Sequence, residues 1–188
     1  MKIAIAQLNP TVGDLAGNAA LVKQAAATAV ASGADLLVTS ELIISGYPPK
    51  DLMLREGFAA ACVRRVEELA AELDPTLGVL VGHPDTRGVP AGRIAKAVSL
   101  IHGGQIAATV HKTLLPNYDV FDERRYFFHA RQTAPIEFGG VKLGVHICED
   151  AWWHAAEPTY KHEAAHQQDP IATLAEAGAE LFINLSAS

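Results

Sequence analysis

A cysteine followed by two carboxylates ends an apolar run in the segment GVHICEDAWW, residues 144–153. The apolar residues before Cys148 predict a buried strand, which would place the thiol at the edge of a sheet. Active sites of α/β proteins form at such edges. Cys148 is therefore a candidate nucleophile, provided that a base or a cation helps to ionise it. Glu149 and Asp150 are either polar turn residues or contacts to the turn or to the amino group of a substrate.

Two other apolar runs end in charged residues. Glu41 closes ADLLVTSEL, and Lys112 closes IAATVHK. Taken singly, each is typical of a solvated strand end, and a lone free cysteine is typically a small buried hydrophobic residue. Together, a carboxylate, an ammonium group and a thiol at three strand ends favour nucleophilic catalysis. The cation would lower the pKa of the thiol, and the carboxylate would accept its proton.

Helices and strands that alternate along the chain must bring these residues together. Short apolar runs predict strands in KIAIAQLN, ADLLVTSEL and LGVLVGHP. The alanine-rich residues 18–32 and the segment GFAAACVRRVEELAAEL predict helices. Glycine pairs at 103–104 and 139–140 predict two hairpins, in KAVSLIHGGQIAATVHK and APIEFGGVKLGVHIC. A helix, a glycine stop and a strand fill DPIATLAEAGAELFINLSAS. The fold class is α/β, with a mixed sheet and flanking helices.

The composition favours a small-molecule or protein partner. The 188 residues carry a net charge of −6, which argues against binding to nucleic acid or to an anionic membrane. No apolar stretch approaches the roughly 18 residues of a membrane span. The two cysteines show no pairing pattern, and the N-terminus shows no secretion signal, so a cytoplasmic location is expected.

Three segments resemble the carbon–nitrogen hydrolase (nitrilase) superfamily: SELIISGYPPKDL, HKTLLPNYDVFDERRYF and HICEDAWW. The resemblance covers essentially the whole chain. It implies an α-β-β-α sandwich and a Glu–Lys–Cys triad. GYPPKDL and LPNYDVFDERRYF are similar, more narrowly, to the glutaminase domains of glutamine-dependent NAD⁺ synthetases. That branch hydrolyses glutamine to supply ammonia for the amidation of nicotinate adenine dinucleotide.

The resemblance assigns a role to each member of the triad. Cys148 would attack the side-chain amide of glutamine. Glu41 would take the thiol proton, pass it to the departing ammonia and then activate the hydrolytic water. Lys112 would hold the developing oxyanion, aided by the backbone N–H after Cys148.

Further residues match substrate-contacting positions of the same branch. A second glutamate of the superfamily positions the lysine and the substrate, although the cluster DERR by itself reads as a charged surface. The aromatic residues match the lining of a glutamine pocket, with core packing as the alternative. The candidate substrate-binding residues are Tyr118, Phe121, Glu123, Glu149, Ser186 and Ser188.

No phosphate-binding loop occurs in the sequence. The chain is therefore expected to be a carbon–nitrogen hydrolase domain over residues 1–188, truncated at its C-terminus and separated from a synthetase domain normally present in cis. No cofactor is expected for the glutaminase step, whereas ATP and Mg²⁺ are expected only for the absent domain. The resemblance also implies a homo-oligomer.

Zinc is not expected. His162 and His166 share a helical spacing and His146 precedes Cys148 by two positions, but no clear third ligand accompanies them. Two alternatives to the glutaminase stay open: a stand-alone amidase of the same superfamily acting on another small amide or nitrile, and a non-catalytic scaffold. The complete triad argues against the scaffold.

Overall fold

The computed structural model describes residues 1–154 and 169–187. Within these residues the protein forms two mixed β-sheets and three α-helices. His162, His166 and Ser188, all considered above, lie outside the described residues. None of the described helices has both the length and the apolar character required to cross a membrane.

The first sheet has five strands in the order of the chain. They are β1 (Ile3–Ile5), β2 (Leu36–Val38), β3 (Gly78–Asp85), β4 (Ala95–His102) and β5 (Gln105–His111). The first three strands are parallel to one another, and β3, β4 and β5 are antiparallel. The tight turn between β4 and β5 contains Gly103 and Gly104, both with positive φ, which confirms the predicted hairpin.

Two helices cover one face of this sheet. They are α1 (Leu15–Ala31) and α2 (Phe58–Glu72). The Asp14 carboxylate caps the start of α1 by accepting a hydrogen bond of 2.8 Å from the Gly17 N–H. Apolar side chains of both helices pack with those of β2 and β3 into one buried cluster. This burial explains why the amphipathic and alanine-rich patterns predicted these helices.

The second sheet has three strands, β6 (Ile136–Phe138), β7 (Val141–Ile147) and β8 (Leu181–Leu185). β6 and β7 form the second predicted hairpin, and β8 lies parallel to β7. The helix α3 (Pro170–Glu176) packs against β7. It begins at the N-cap Asp169, as the sequence around DPIATLAEAG predicts.

The two sheets pack face to face through a second apolar cluster. β2, β3 and β4 contribute Leu36, Val38, Leu80, Val98 and Leu100, and β7 and β8 contribute Leu143, Val145, Ile147, Ile183 and Leu185. Helices therefore lie outside two facing sheets, which confirms the α-β-β-α sandwich. The functional residues follow strands of both sheets, so this packing determines the distances between them.

The second strand is shorter than predicted. It ends at Val38, so Glu41 lies in the turn that follows and does not close the strand. One more backbone contact extends the pairing, since the Thr39 N–H donates to the Leu80 carbonyl at 3.1 Å. The chain then turns across Gly82 of β3, where a Cβ atom would collide with the Glu41 carbonyl. This turn directs the Glu41 side chain into the interior, where it is fully buried.

Candidate active site

Cys148 is the first residue after β7 and opens the 3₁₀ helix Cys148–Trp152. Its φ angle is +47°, a left-handed conformation that is costly for a residue with a Cβ atom. The side chain is 9% exposed. The strained turn therefore holds the thiol at the edge of the second sheet, facing a cleft.

Asp150 fixes this turn against the segment that follows Lys112. Its Oδ1 accepts hydrogen bonds from the backbone N–H groups of Thr113 (2.9 Å) and Leu114 (2.7 Å). Its Oδ2 accepts another from the N–H of Ile147 at 3.0 Å. Of the alternatives given for Asp150, the structure shows the contact to the turn, and the carboxylate is buried and joins two elements of the site. Burial raises its pKa to about 6, against the effect of these hydrogen bonds.

Four buried charges lie next to one another between β2, β4, β5 and the segment after Lys112. We name this group the Glu–Lys cluster, and it consists of Glu41, Lys96, Lys112 and Glu123. The Lys112 Nζ lies 2.8 Å from Glu41 Oε1 and 3.0 Å from Glu123 Oε2. The cluster is formally neutral, which is the condition under which buried charges are tolerated.

Glu123 occupies an interior position. It begins the short 3₁₀ helix Glu123–Arg125, and its side chain is buried although DERR reads as a surface segment. Both lysines of the cluster donate to Glu123. The neighbouring Arg124 donates its Nε–H to the Leu115 carbonyl, and Arg125 pairs with Asp51. The structure thus places this glutamate beside Lys112, where the family resemblance expects it, and its function stays a prediction.

Lys96 is the member of the cluster that the sequence reading missed. It lies in β4, its side chain is 1% exposed, and its Nζ donates to Glu41 Oε1 at 2.9 Å and to Glu123 Oε1. A lysine inside the apolar run RIAKAVSLI was the available signal, because a buried lysine requires a carboxylate partner. The hydrogen bond from the Lys112 N–H to the Lys96 carbonyl places both lysines side by side.

The electrostatics of the cluster favour its charged form. Burial opposes the charge on Lys112, but Glu41, Glu123 and the Cys148 thiolate raise the pKa of Lys112 above its ordinary value. Burial also opposes the charge on Glu41, yet Lys112 and Lys96 hold the pKa of Glu41 below its usual range. Lys112 is therefore an ammonium ion on which the charge of Cys148 acts, and Glu41 is a carboxylate.

The two oxygens of Glu41 are used differently. Both lysines donate to Oε1. Oε2 is buried and has no hydrogen-bond partner in the part of the chain that the structure describes. An unpaired buried carboxylate oxygen is costly, and such an atom is available to accept a proton.

Cys148 lines a cleft of about 550 Å³. Four of the predicted substrate-binding residues line the same cleft, namely Tyr118, Phe121, Glu149 and Ser186. The Tyr118 hydroxyl donates to both carboxylate oxygens of Glu149, at 2.9 and 3.0 Å. The Tyr118 and Phe121 rings meet edge to face. The structure therefore brings these residues to the same opening as the thiol, and their contacts with a substrate stay predictions.

Asn184 is a second residue that sequence reasoning missed. Its side-chain amide lies in β8 and donates to the Cys148 carbonyl at 3.3 Å, while its Oδ1 accepts from the Ser186 hydroxyl at 2.6 Å. β8 runs parallel to β7, so the two strand ends meet at the same edge. No local sequence signal reports this pairing.

The described residues contain no group of three histidine, cysteine, aspartate or glutamate side chains arranged to hold a metal ion. His146 instead directs its Nδ1 to the Gly144 carbonyl at 3.0 Å. Cys62 is fully buried in α2, and burial raises its pKa to about 12. This thiol is therefore inert, in contrast to the cleft-lining Cys148.

A buried Glu–Lys cluster and a cysteine on a strained turn, carried by an α-β-β-α sandwich, form the arrangement that the family resemblance implies. The sequence profile of the carbon-nitrogen hydrolase family matches residues 2–161. The chain belongs to this family.

The similar curated proteins point to one branch of the family. The chain is 42% identical to a glutamine-dependent NAD(+) synthetase of Synechocystis over 190 residues, which covers 99% of this chain and 34% of that protein. It is 37% identical to the enzyme of the same name from Thermotoga maritima, and the match covers 100% of this chain and 30% of that protein. The chain thus spans about one third of the length of these relatives.

Solved structures share the fold. The glutamine-dependent NAD⁺ synthetase of Acinetobacter baumannii superimposes with a TM-score of 0.82 at 28% identity, covering 99% of this chain and 32% of that one. An amidase from Nesterenkonia sp. superimposes with a TM-score of 0.78 at 23% identity, and the match covers 100% of this chain and 65% of the amidase.

Proposed function

We propose that this chain is the glutamine amidohydrolase portion of a glutamine-dependent NAD⁺ synthetase. The observation that carries the proposal is the buried Glu–Lys cluster, in which Glu41 Oε2 is unpaired among the described residues and Lys112 is subject to the charge of the cleft-lining Cys148. The named relatives support glutamine as the substrate. Their greater length supports a synthetase domain in cis as the partner.

The chemistry follows from the positions of these groups. Glu41 Oε2 accepts the thiol proton, and the Cys148 sulfur attacks the side-chain amide carbon of glutamine. The Lys112 ammonium and the Glu149 N–H stabilise the negative oxygen that develops. Glu41 then returns the proton to the nitrogen, so that ammonia leaves and a γ-glutamyl thioester forms. Glu41 next activates a water molecule, which cleaves the thioester and releases glutamate.

The cleft supports recognition of the amino-acid end of the substrate. The Glu149 carboxylate, oriented by the Tyr118 hydroxyl, suits an ammonium group, and Phe121 provides an apolar wall. Ser186 lies at the same opening, and Ser188 is assigned to this end of the substrate by the family resemblance alone. ATP and Mg²⁺ would be needed by the synthetase domain that amidates nicotinate adenine dinucleotide. A homo-oligomer and a cytoplasmic location stay predictions.

An electrophilic glutamine analogue with intact-mass detection tests this function. We expect a single adduct on Cys148 that glutamine suppresses, and no adduct on Cys148→Ala. Ammonia release from glutamine should fail in the same variant, with its cooperative unfolding retained. Protection by another small amide in place of glutamine would favour the stand-alone amidase. A folded chain that forms no adduct would favour the non-catalytic scaffold.

A further inference from the structure

Lys96 donates to two carboxylates at the centre of the site, although the proposed mechanism gives it no role. Its Nζ contacts Glu41 Oε1 at 2.9 Å and also Glu123 Oε1. The same atom lies over the rings of Tyr47 and Phe127, 4.8 and 5.2 Å from their centroids. Two carboxylates and two aromatic faces therefore hold this ammonium group in one position.

The two lysines of the cluster have different neighbours. The charge of Cys148 acts on Lys112. Lys96 lines a cavity of about 200 Å³ together with Tyr47, Phe127 and Glu123. Lys96 therefore contacts the two carboxylates from the side of this cavity.

The contacts of Lys96 decide which oxygen of Glu41 is available. A lone lysine that faces a carboxylate can contact either oxygen, and the carboxylate can rotate. With Lys96 and Lys112 both on Oε1, the other oxygen is left without a partner in the described residues. Two carboxylates and two ammonium groups also make the cluster neutral.

We propose that Lys96 is a positioning residue of the active site, which fixes the Glu41 carboxylate through Oε1 and keeps Oε2 available for the proton of Cys148. The assignment rests on the proposed thiol chemistry of Cys148 and does not depend on glutamine as the substrate. Lys96 acts through Glu41 and Glu123, and it does not touch the reacting atoms.

Two substitutions separate positioning from charge compensation. Lys96→Met leaves two carboxylates against Lys112, so the negative surplus disfavours the thiolate. Lys96→Arg keeps the charge, and the neighbouring cavity provides room for the larger group. A guanidinium group binds carboxylates through two parallel hydrogen bonds, which would engage Oε2 as well. Lys142→Met, on an exposed position of β7, is the matched control.

The measurement is the rate of Cys148 alkylation by iodoacetamide between pH 5 and 10, followed by intact mass, with Cys148→Ala as the blank. We expect Lys96→Met to raise the pH midpoint by about one unit, so that alkylation near pH 7 is about tenfold slower. Lys96→Arg keeps the charge, so it should keep the wild-type midpoint of alkylation, whereas its release of ammonia from glutamine should be slower because Oε2 is engaged. Lys142→Met should match the wild type in rate and midpoint.

A folded Lys96→Met variant with the wild-type alkylation rate and midpoint would overturn the assignment, as would a folded Lys96→Arg variant that releases ammonia at the wild-type rate. So would loss of the folded state in both variants, because Lys96 would then serve folding alone. A wild-type chain that is alkylated at Cys148 but does not hydrolyse glutamine would reject the proposed substrate and leave the Lys96 assignment intact.

Discussion

The two carboxylate oxygens of Glu41 have different contacts in the Glu–Lys cluster. Glu41 Oε1 receives both lysines, whereas Oε2 has no partner among the described residues. In the proposed mechanism, charge compensation and proton acceptance thus fall on different oxygens of one carboxylate. A buried carboxylate that lacked the two lysines would be neutral at pH 7 and could not act as a base.

Replacing Glu41 with glutamine tests this division. The amide keeps the shape of the side chain but cannot accept the proton, so ammonia release from glutamine should fall at least about 100-fold. Alkylation of Cys148 by iodoacetamide should persist, because the surplus positive charge of the two lysines favours the thiolate. Glu137→Gln, at an exposed position of β6, should change neither rate. Equal loss of both rates in Glu41→Gln would contradict the assignment of Glu41 as the base.

The sequence predicts site residues where polarity interrupts an apolar pattern at a strand end. Cys148 and Lys112 follow strands directly, and Glu41 lies three residues beyond one. Lys96 was missed because a lysine at the first residue of a predicted strand is ordinary. Its partner Glu41 lies 55 residues away in the chain, so no local pattern reports the contact.

The elements position the cluster through backbone contacts between neighbouring strands. Their identities were predictable, because helices and strands here have the apolar periodicity of their burial. The residues at which these helices and strands end were less predictable. The predicted strand ADLLVTSEL stops at Val38 because the chain turns over Gly82 of β3, a contact between segments that are distant in sequence.

Gly82→Ala tests the importance of this contact. The new Cβ atom would collide with the carbonyls of Ser40 and Glu41, so the Glu41 backbone must move. We expect a loss of about 1–3 kcal/mol in the free energy of unfolding, since overpacking has this cost. Ammonia release should fall at least about tenfold, because a displaced base is poorly aligned with the thiol.

Gly78→Ala provides the matched control on the same strand. The three heavy atoms nearest to its Cβ atom would all belong to the Phe138 ring, which lies in the second sheet. This variant should lose stability and keep its ammonia release within about twofold, once the folded fraction is taken into account. If both variants lost activity equally, the effect would come from general packing of β3 and not from Glu41.

At the scale of the whole molecule, the packed elements bury further ionisable groups besides those of the Glu–Lys cluster. His83 in β3 directs its Nδ1 to the Pro84 carbonyl at 2.9 Å and its Nε2 to the Ser99 hydroxyl at 2.8 Å. A carbonyl can only accept, so Nδ1 carries a proton. Burial favours the neutral ring, in which Nε2 accepts from the Ser99 hydroxyl. Burial lowers the pKa of His83 to about 4, whereas it raises the pKa of Asp150 to about 6.

These two groups make stability depend on pH in opposite directions. His83 takes up a proton more readily when unfolded, so its contribution is lost as the pH falls below 6.5 toward about 4. Asp150 binds its proton more tightly when folded, so its contribution grows as the pH falls through about 6. Between pH 7 and pH 5, His83 should lower the free energy of unfolding by about 2 kcal/mol, and Asp150 should raise it by about 1 kcal/mol.

Urea unfolding of His83→Gln and Asp150→Asn at both pH values separates these contributions. Each variant is less stable than the wild type at every pH because its hydrogen bonds are altered. We call this difference in the free energy of unfolding the deficit, and its change with pH is the informative quantity. The deficit of His83→Gln should shrink by about 2 kcal/mol from pH 7 to pH 5, because the variant lacks the group that the unfolded chain protonates. The deficit of Asp150→Asn should grow by about 1 kcal/mol, because the wild type alone gains from protonation. If the stabilities of all three proteins changed in parallel between these pH values, neither buried group could be the source of the pH dependence, and exposed groups would have to account for it.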